Sequence, residues 1–110
     1  MDLSIETRGN TTILRPREPH IDLTNARDLA AAIKTAVERG AVHVILDLTR
    51  VETLDSMGLG GIVSGWRSVA AKGDLRLCGL QGPVRQVFEV TRLDRVFQIL
   101  ADVESALGAC

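Results

Sequence analysis

Asp55-Ser56-Met57-Gly58-Leu59-Gly60-Gly61 puts a hydroxyl directly after a carboxylate and directly before a glycine-rich run. A serine in such company can attack an acyl group, sit in a phosphate-cradling loop, accept a phosphoryl group, or cap a helix. A nucleophile elbow needs G-x-S-x-G, but the residue two before Ser56 is Leu54. The histidines are His20 and His43. His43 falls inside a strand pattern, where a hydrogen-bonded structural role is far commoner than a general base, and His20 sits between a proline and a loop. No catalytic residue is therefore assigned, and the chain is not expected to be an enzyme. Gly58-Leu59-Gly60-Gly61 lacks the lysine and frame of a P-loop, and no G-x-G-x-x-G opens a helix, so no nucleotide cofactor is expected. Asp22, Asp47 and Asp55 are the carboxylates a Mg²⁺ site would use. Asp47 falls in a strand that reads as buried and Asp22 reads as a helix-start residue, so no metal is expected.

Two readings of the serine remain. Asp55 or Ser56 can serve as a helix N-cap, worth about 1 kcal/mol. Alternatively, Ser56 is a phosphoacceptor: it lies at the carboxyl end of a strand and the start of a helix, where ligands and modifications gather in open α/β folds, and its hydroxyl is expected to be exposed. The positive end of the helix dipole would tolerate a phosphate there. Gly58, Gly60 and Gly61 each weaken the helix start by up to about 1 kcal/mol relative to Ala, a cost that makes sense if another backbone must come close.

The elements that must position this turn are legible from periodicity. Leu3, Ile5 and Thr7 alternate, as do Thr12 and Leu14, with Gly9-Asn10 between them as the turn of a β-hairpin. Pro16 and Pro19 end the second strand. Ala26, Leu29, Ala30, Ile33, Ala36 and Val37 fall on one helix face, stopped by Gly40. Val42 to Leu48 is a β-branched, nearly continuous apolar run that reads as a central strand buried on both faces. Leu59, Ile62, Val63, Trp66, Val69 and Ala70 mark a second helix, with Gly73 expected as its αL cap. Leu75 to Cys78 follows as a strand, then a helix opened by Gly82-Pro83. Val96 to Leu100 is a last short strand, and Asp102 caps a final helix. The order β-β-α-β-α-β-α-β-α implies an α/β fold: a mixed, mostly parallel sheet with an N-terminal antiparallel hairpin, packed by about four helices in a single domain over residues 1–110.

Composition narrows the function. The 110 residues are 45% hydrophobic and 25% charged, with a formal net charge of -1. That charge lacks the basic excess of a nucleic-acid binder. Only 3% of residues are aromatic, Trp66, Phe88 and Phe97, so little is available to stack bases or sugars. No run of about 18 apolar residues exists, and the acidic start Met1-Asp2-Leu3-Ser4-Ile5-Glu6 does not read as a signal peptide. A cytoplasmic protein with no membrane partner is expected, as a monomer or weak dimer. Cys78 and Cys110 are too few for a disulfide framework or a zinc site, and Cys110 offers only an artefactual disulfide dimer.

Taken together, Ile21-Asp22, the strand ending at Asp47-Leu48, Asp55-Ser56-Met57-Gly58-Leu59-Gly60, Gly73 before Leu75-Arg76-Leu77, and Thr91-Arg92-Leu93-Asp94-Arg95-Val96-Phe97 resemble a STAS domain, and specifically a stand-alone bacterial anti-sigma factor antagonist. The resemblance implies a switch. Ser56 would be phosphorylated by an anti-sigma factor that is itself a serine/threonine kinase of the histidine-kinase-like ATPase type, and a protein phosphatase would reverse it. The unphosphorylated form would bind that kinase and release a sigma factor for transcription. It also implies that Asp22, Asp55, Ser56, Met57, Gly58, Leu59, Gly60 and Ile62 form the partner-binding surface. The chain departs from the family pattern at Pro19-His20 beside the acidic loop, at Met57 after the serine, and at Arg92, where glycine is common at a helix end. The alternative is a STAS scaffold or accessory subunit, of a sensory complex or a transporter, that is never phosphorylated.

Overall fold

The computed structural model describes residues 1–109, so Cys110 lies outside the described residues. The chain begins with a hairpin: β1 (Leu3–Arg8) pairs antiparallel with β2 (Thr11–Pro16) around Gly9, whose φ is +60°. There follow β3 (His20–Ile21), α1 (Ala26–Glu38), β4 (His43–Asp47), β5 (Thr53–Leu54), α2 (Ser56–Ala70), β6 (Asp74–Cys78), α3 (Gly82–Val90), a 3-10 turn at Leu93–Arg95, β7 (Gln98–Leu100) and α4 (Val103–Gly108). The main sheet runs β1-β2-β4-β6-β7, and every pairing after the hairpin is parallel. The fold is thus the expected mixed, mostly parallel sheet with an antiparallel hairpin and four helices. Two short strands, β3 and β5, are additional to the expected order and pair only with each other.

Alternation along the strands divides the core into two layers, because successive side chains of a strand point to opposite faces. Leu14, Val44, Leu46 and Leu77 join Leu29, Ile33, Ile62, Val69, Val84 and Phe88 beneath α1, α2 and α3. Ile13, Ile45 and Cys78 face the other way and pack on Ala106 of α4. Arg76 shares that second face and is only 5% exposed. Its guanidinium pairs with Asp74 at 2.7 Å and donates to the Ala106 carbonyl at 3.3 Å. Edge-to-face contacts of Phe97 with Trp66 and Phe88 close the end of the first layer.

Two local expectations are corrected. Gly73 has no positive φ; a Cβ there would lie 1.7 Å from the Val42 carbonyl oxygen, so glycine is needed for close approach of two chains rather than for a left-handed cap. Asp47 is only half-buried, accepting from the Thr49 hydroxyl at 2.5 Å and facing Arg15 at 3.5 Å. Arg92, just past α3, adopts φ +63°, the left-handed conformation that strains an L side chain. Among the described residues no helix is long and apolar enough to cross a membrane.

Candidate functional site

The two-residue strands β3 and β5 build the site. Their parallel register matches His20 with Thr53 and Ile21 with Leu54, so the next residues, Asp22 and Asp55, emerge side by side. Pro19 accepts from the Glu52 and Thr53 amides at 2.7 and 3.1 Å, His20 Nδ1 lies 2.6 Å from the Thr53 hydroxyl, and the Asp55 amide donates to the Ile21 carbonyl at 3.3 Å. Ile21 and Leu54 are buried and anchor both strands to the core.

Asn25, which the sequence reading did not single out, fixes the acidic loop. It is 7% exposed; its Nδ2 donates to the His20 carbonyl at 2.8 Å and its Oδ1 accepts from the Asp22 amide at 3.0 Å. The signal was present as an asparagine directly before an amphipathic helix, a usual capping residue. Here its side chain braces the preceding loop instead of capping α1. Asp22 Oδ1 in turn accepts from the Thr24 amide at 2.9 Å and the Thr24 hydroxyl at 2.6 Å. The hydroxyl, and then the amide, hold the Asp22 carboxyl below its ordinary range.

Asp55, not Ser56, is the N-cap of α2: its Oδ1 accepts from the Gly58 amide at 2.8 Å, and Leu59 donates to its carbonyl at 2.9 Å. Ser56 is therefore the first residue of the helix, exposed beside the positive end of the dipole. Met57 is 51% exposed, and Leu23, next to Asp22, is 68% exposed, an apolar neighbour that sequence reasoning missed. A shallow groove of about 240 Å³ runs between the two helices, lined by Ala26, Arg27 and Ala30 on α1 and by Ser56, Met57 and Gly60 on α2.

The expected docking surface needs correction at two positions. Ile62 is fully buried in the core and Gly58 is buried, so neither can touch a partner, and Leu59 is half-buried. The glycines divide accordingly. A Cβ at Gly58 would meet the Ile21 carbonyl oxygen at 2.3 Å and one at Gly61 the Ala26 carbonyl oxygen at 2.6 Å, while one at Gly60 would meet nothing within 4 Å. The backbone that approaches Gly58 and Gly61 belongs to this chain, and Gly60 alone of the three leaves bare surface. Among the described residues no three His, Cys, Asp or Glu side chains gather into a metal site, and Asp47 lies apart from the Asp22 and Asp55 pair, engaged with Thr49 and Arg15.

Similarity to known proteins follows the same outline. The anti-sigma-B factor antagonist of Listeria monocytogenes is 31% identical over 108 residues, covering 90% of this chain and 90% of the relative. A crystal structure of an anti-sigma factor antagonist from Mycobacterium paratuberculosis superposes with a TM-score of 0.87 at 22% identity, covering 98% of this chain and 92% of that one. The Bacillus cell fate determinant SpoIIAA in its phosphorylated form superposes with a TM-score of 0.74 at 24% identity, covering 98% of both chains. The STAS domain family model matches residues 2–106, and the chain belongs to that family.

Proposed function

We propose that this STAS domain is an anti-sigma factor antagonist switched by phosphorylation of Ser56. In its unphosphorylated form it binds an anti-sigma factor that is a serine/threonine kinase of the histidine-kinase-like ATPase type, and a sigma factor is released for transcription. A protein phosphatase resets it. The observation that carries the reading is the exposed Ser56 hydroxyl at the first position of α2, beside the paired turns of Asp22 and Asp55 and at the rim of the α1–α2 groove.

The chemistry is a phosphoryl transfer in which the kinase supplies ATP. The Ser56 Oγ–P bond forms as the bond from the γ-phosphorus to the bridging oxygen breaks. ADP leaves, and the hydroxyl proton passes to a base of the kinase. The product carries about -1.5 to -2 charges beside two carboxylates. The helix dipole offsets this by about 0.3–1 kcal/mol, which spares the fold. Burying that charge unpaired against a partner costs several kcal/mol, which breaks the complex.

Incubation with the cognate kinase and ATP, followed by mass spectrometry, tests the reading. One phosphate is expected on Ser56 and none on Ser56→Ala, and Ser56→Asp is expected to fold yet bind the kinase much more weakly. Binding to the kinase with no phosphate transferred to Ser56 in the presence of ATP, or equal affinity of wild type and Ser56→Asp, would instead support a scaffold or accessory subunit that is never phosphorylated.

A further inference from the structure

A second hollow, of about 330 Å³, lies between the β1–β2 hairpin and the C-terminal half of α1, away from the end of that helix that borders Ser56. The hairpin register sets Ile5 opposite Leu14 and Thr7 opposite Thr12, so these four side chains share the face turned to α1. Ile5, Leu14, Ala32 and Ala36 give the hollow an aliphatic lining. Small alanines on the helix, opposite larger side chains on the strands, leave the space open.

Of the polar side chains lining this space, Thr12 is buried and Arg39 is charged. Thr12 is only 7% exposed, yet its hydroxyl makes no hydrogen bond among the described residues, and its oxygen is not sealed from solvent. Solvent reaches that hydroxyl, and a bound polar group would take the place of the water there. Arg39, the solvent-exposed C-cap of α1, is the only charged side chain among the described lining residues. The Val42 amide donates to the Asn10 carbonyl at 2.8 Å, which brings the turn after Arg39 against the strand that carries Thr12.

We propose that this hollow binds a small amphiphilic monocarboxylate, its aliphatic chain lying over Ile5, Leu14, Ala32 and Ala36 and its carboxylate meeting Arg39, with the Thr12 hydroxyl as a further donor. An aliphatic lining with a few convergent polar groups is the usual make-up of a small-molecule site. A guanidinium selects a carboxylate over a neutral or cationic head group. The site does not depend on phosphorylation of Ser56.

Amide correlation spectra of the full chain, titrated separately with octanoate, octanol and octylammonium, test this. Octanoate is expected to give saturable shifts centred on Thr12, Ala36, Arg39 and Gly40, with octylammonium at least about tenfold weaker. Arg39→Gln should weaken octanoate about tenfold and leave octanol unchanged. Thr12→Val removes the hydroxyl at constant shape and should weaken octanoate several-fold, and Ala32→Leu should fill the hollow and abolish both. The same spectra report whether each variant is folded; should Ala32→Leu fail to fold, Arg39→Gln and Thr12→Val decide the matter. No saturable shift at millimolar octanoate, shifts centred on the α1–α2 groove, or equal response to the three head groups would overturn the proposal.

Discussion

Gly58→Ala and Gly60→Ala make the same chemical change two residues apart in one helix, and the structure assigns them opposite signs. In the interior of a helix, alanine is favoured over glycine by about 0.5–1 kcal/mol, because glycine gives up more backbone freedom on folding. At Gly60 the added Cβ meets nothing within 4 Å, so that gain is expected in full. At Gly58 the Cβ would lie 2.3 Å from the Ile21 carbonyl oxygen, 2.8 Å from its carbon and 2.7 Å from Leu54 Cδ1. A carbon normally approaches a carbonyl oxygen no closer than about 3.3 Å, so β3 must retreat by roughly 1 Å. The Ile21 carbonyl is fixed by its bond from the Asp55 amide, and no side-chain rotation relieves the clash. Overpacking of this kind costs about 1–3 kcal/mol, leaving a net destabilisation of about 1–2 kcal/mol after the propensity gain. The propensity gain is common to both, so the two variants should differ by the overpacking cost, about 1–3 kcal/mol in urea unfolding at unchanged m, and by about 4 °C or more in Tm at roughly 4–8 °C per kcal/mol. Equal stabilities, or a Gly58→Ala variant more stable than wild type, would refute the placement of β3 against α2. Gly60→Ala adds a methyl group to the α1–α2 groove, so partner binding is expected to weaken in a protein that has become more stable.

Asp55→Ala removes the cap on the Gly58 amide and should lower stability by about 1 kcal/mol, whereas Asp55→Asn, which still caps, should lose only a fraction of that in the same urea titration. The folded-state pKa of Asp22 is lowered chiefly by the Thr24 hydroxyl, so the stability this provides is present above the ordinary carboxylate range and is lost as the pH falls through the lowered value. Thr24→Val should raise the Asp22 pKa toward its ordinary value in a carboxyl NMR titration, and an unchanged midpoint would discount that hydrogen bond. Burial, reinforced by the charges of Asp47 and Asp102, pushes the Cys78 thiol up to about 12. In a Cys110→Ser background, a thiol reagent at pH 8 should therefore label the native protein only as fast as it unfolds.

Periodicity was enough for the hairpin, the three longer helices and the central β4, because each is a run whose apolar spacing is settled by near neighbours. The place of Ser56 at a helix start was legible in the same way, since a carboxylate, a hydroxyl and glycines after an apolar strand carry a local signal. Tertiary structure alone decided what surrounds that serine. Strands β3 and β5 are two residues each, too short to show a period, and they pair across 33 residues of sequence. Their pairing, not any motif, sets Asp22 beside Asp55. The glycines looked alike in sequence, yet Gly58 and Gly61 receive carbonyls of this chain while Gly60 meets open space. Ile62 was expected at the docking surface and belongs to the core. Which side of a helix turns inward depends on the packing of distant segments, and a linear pattern records apolar character without recording what covers it.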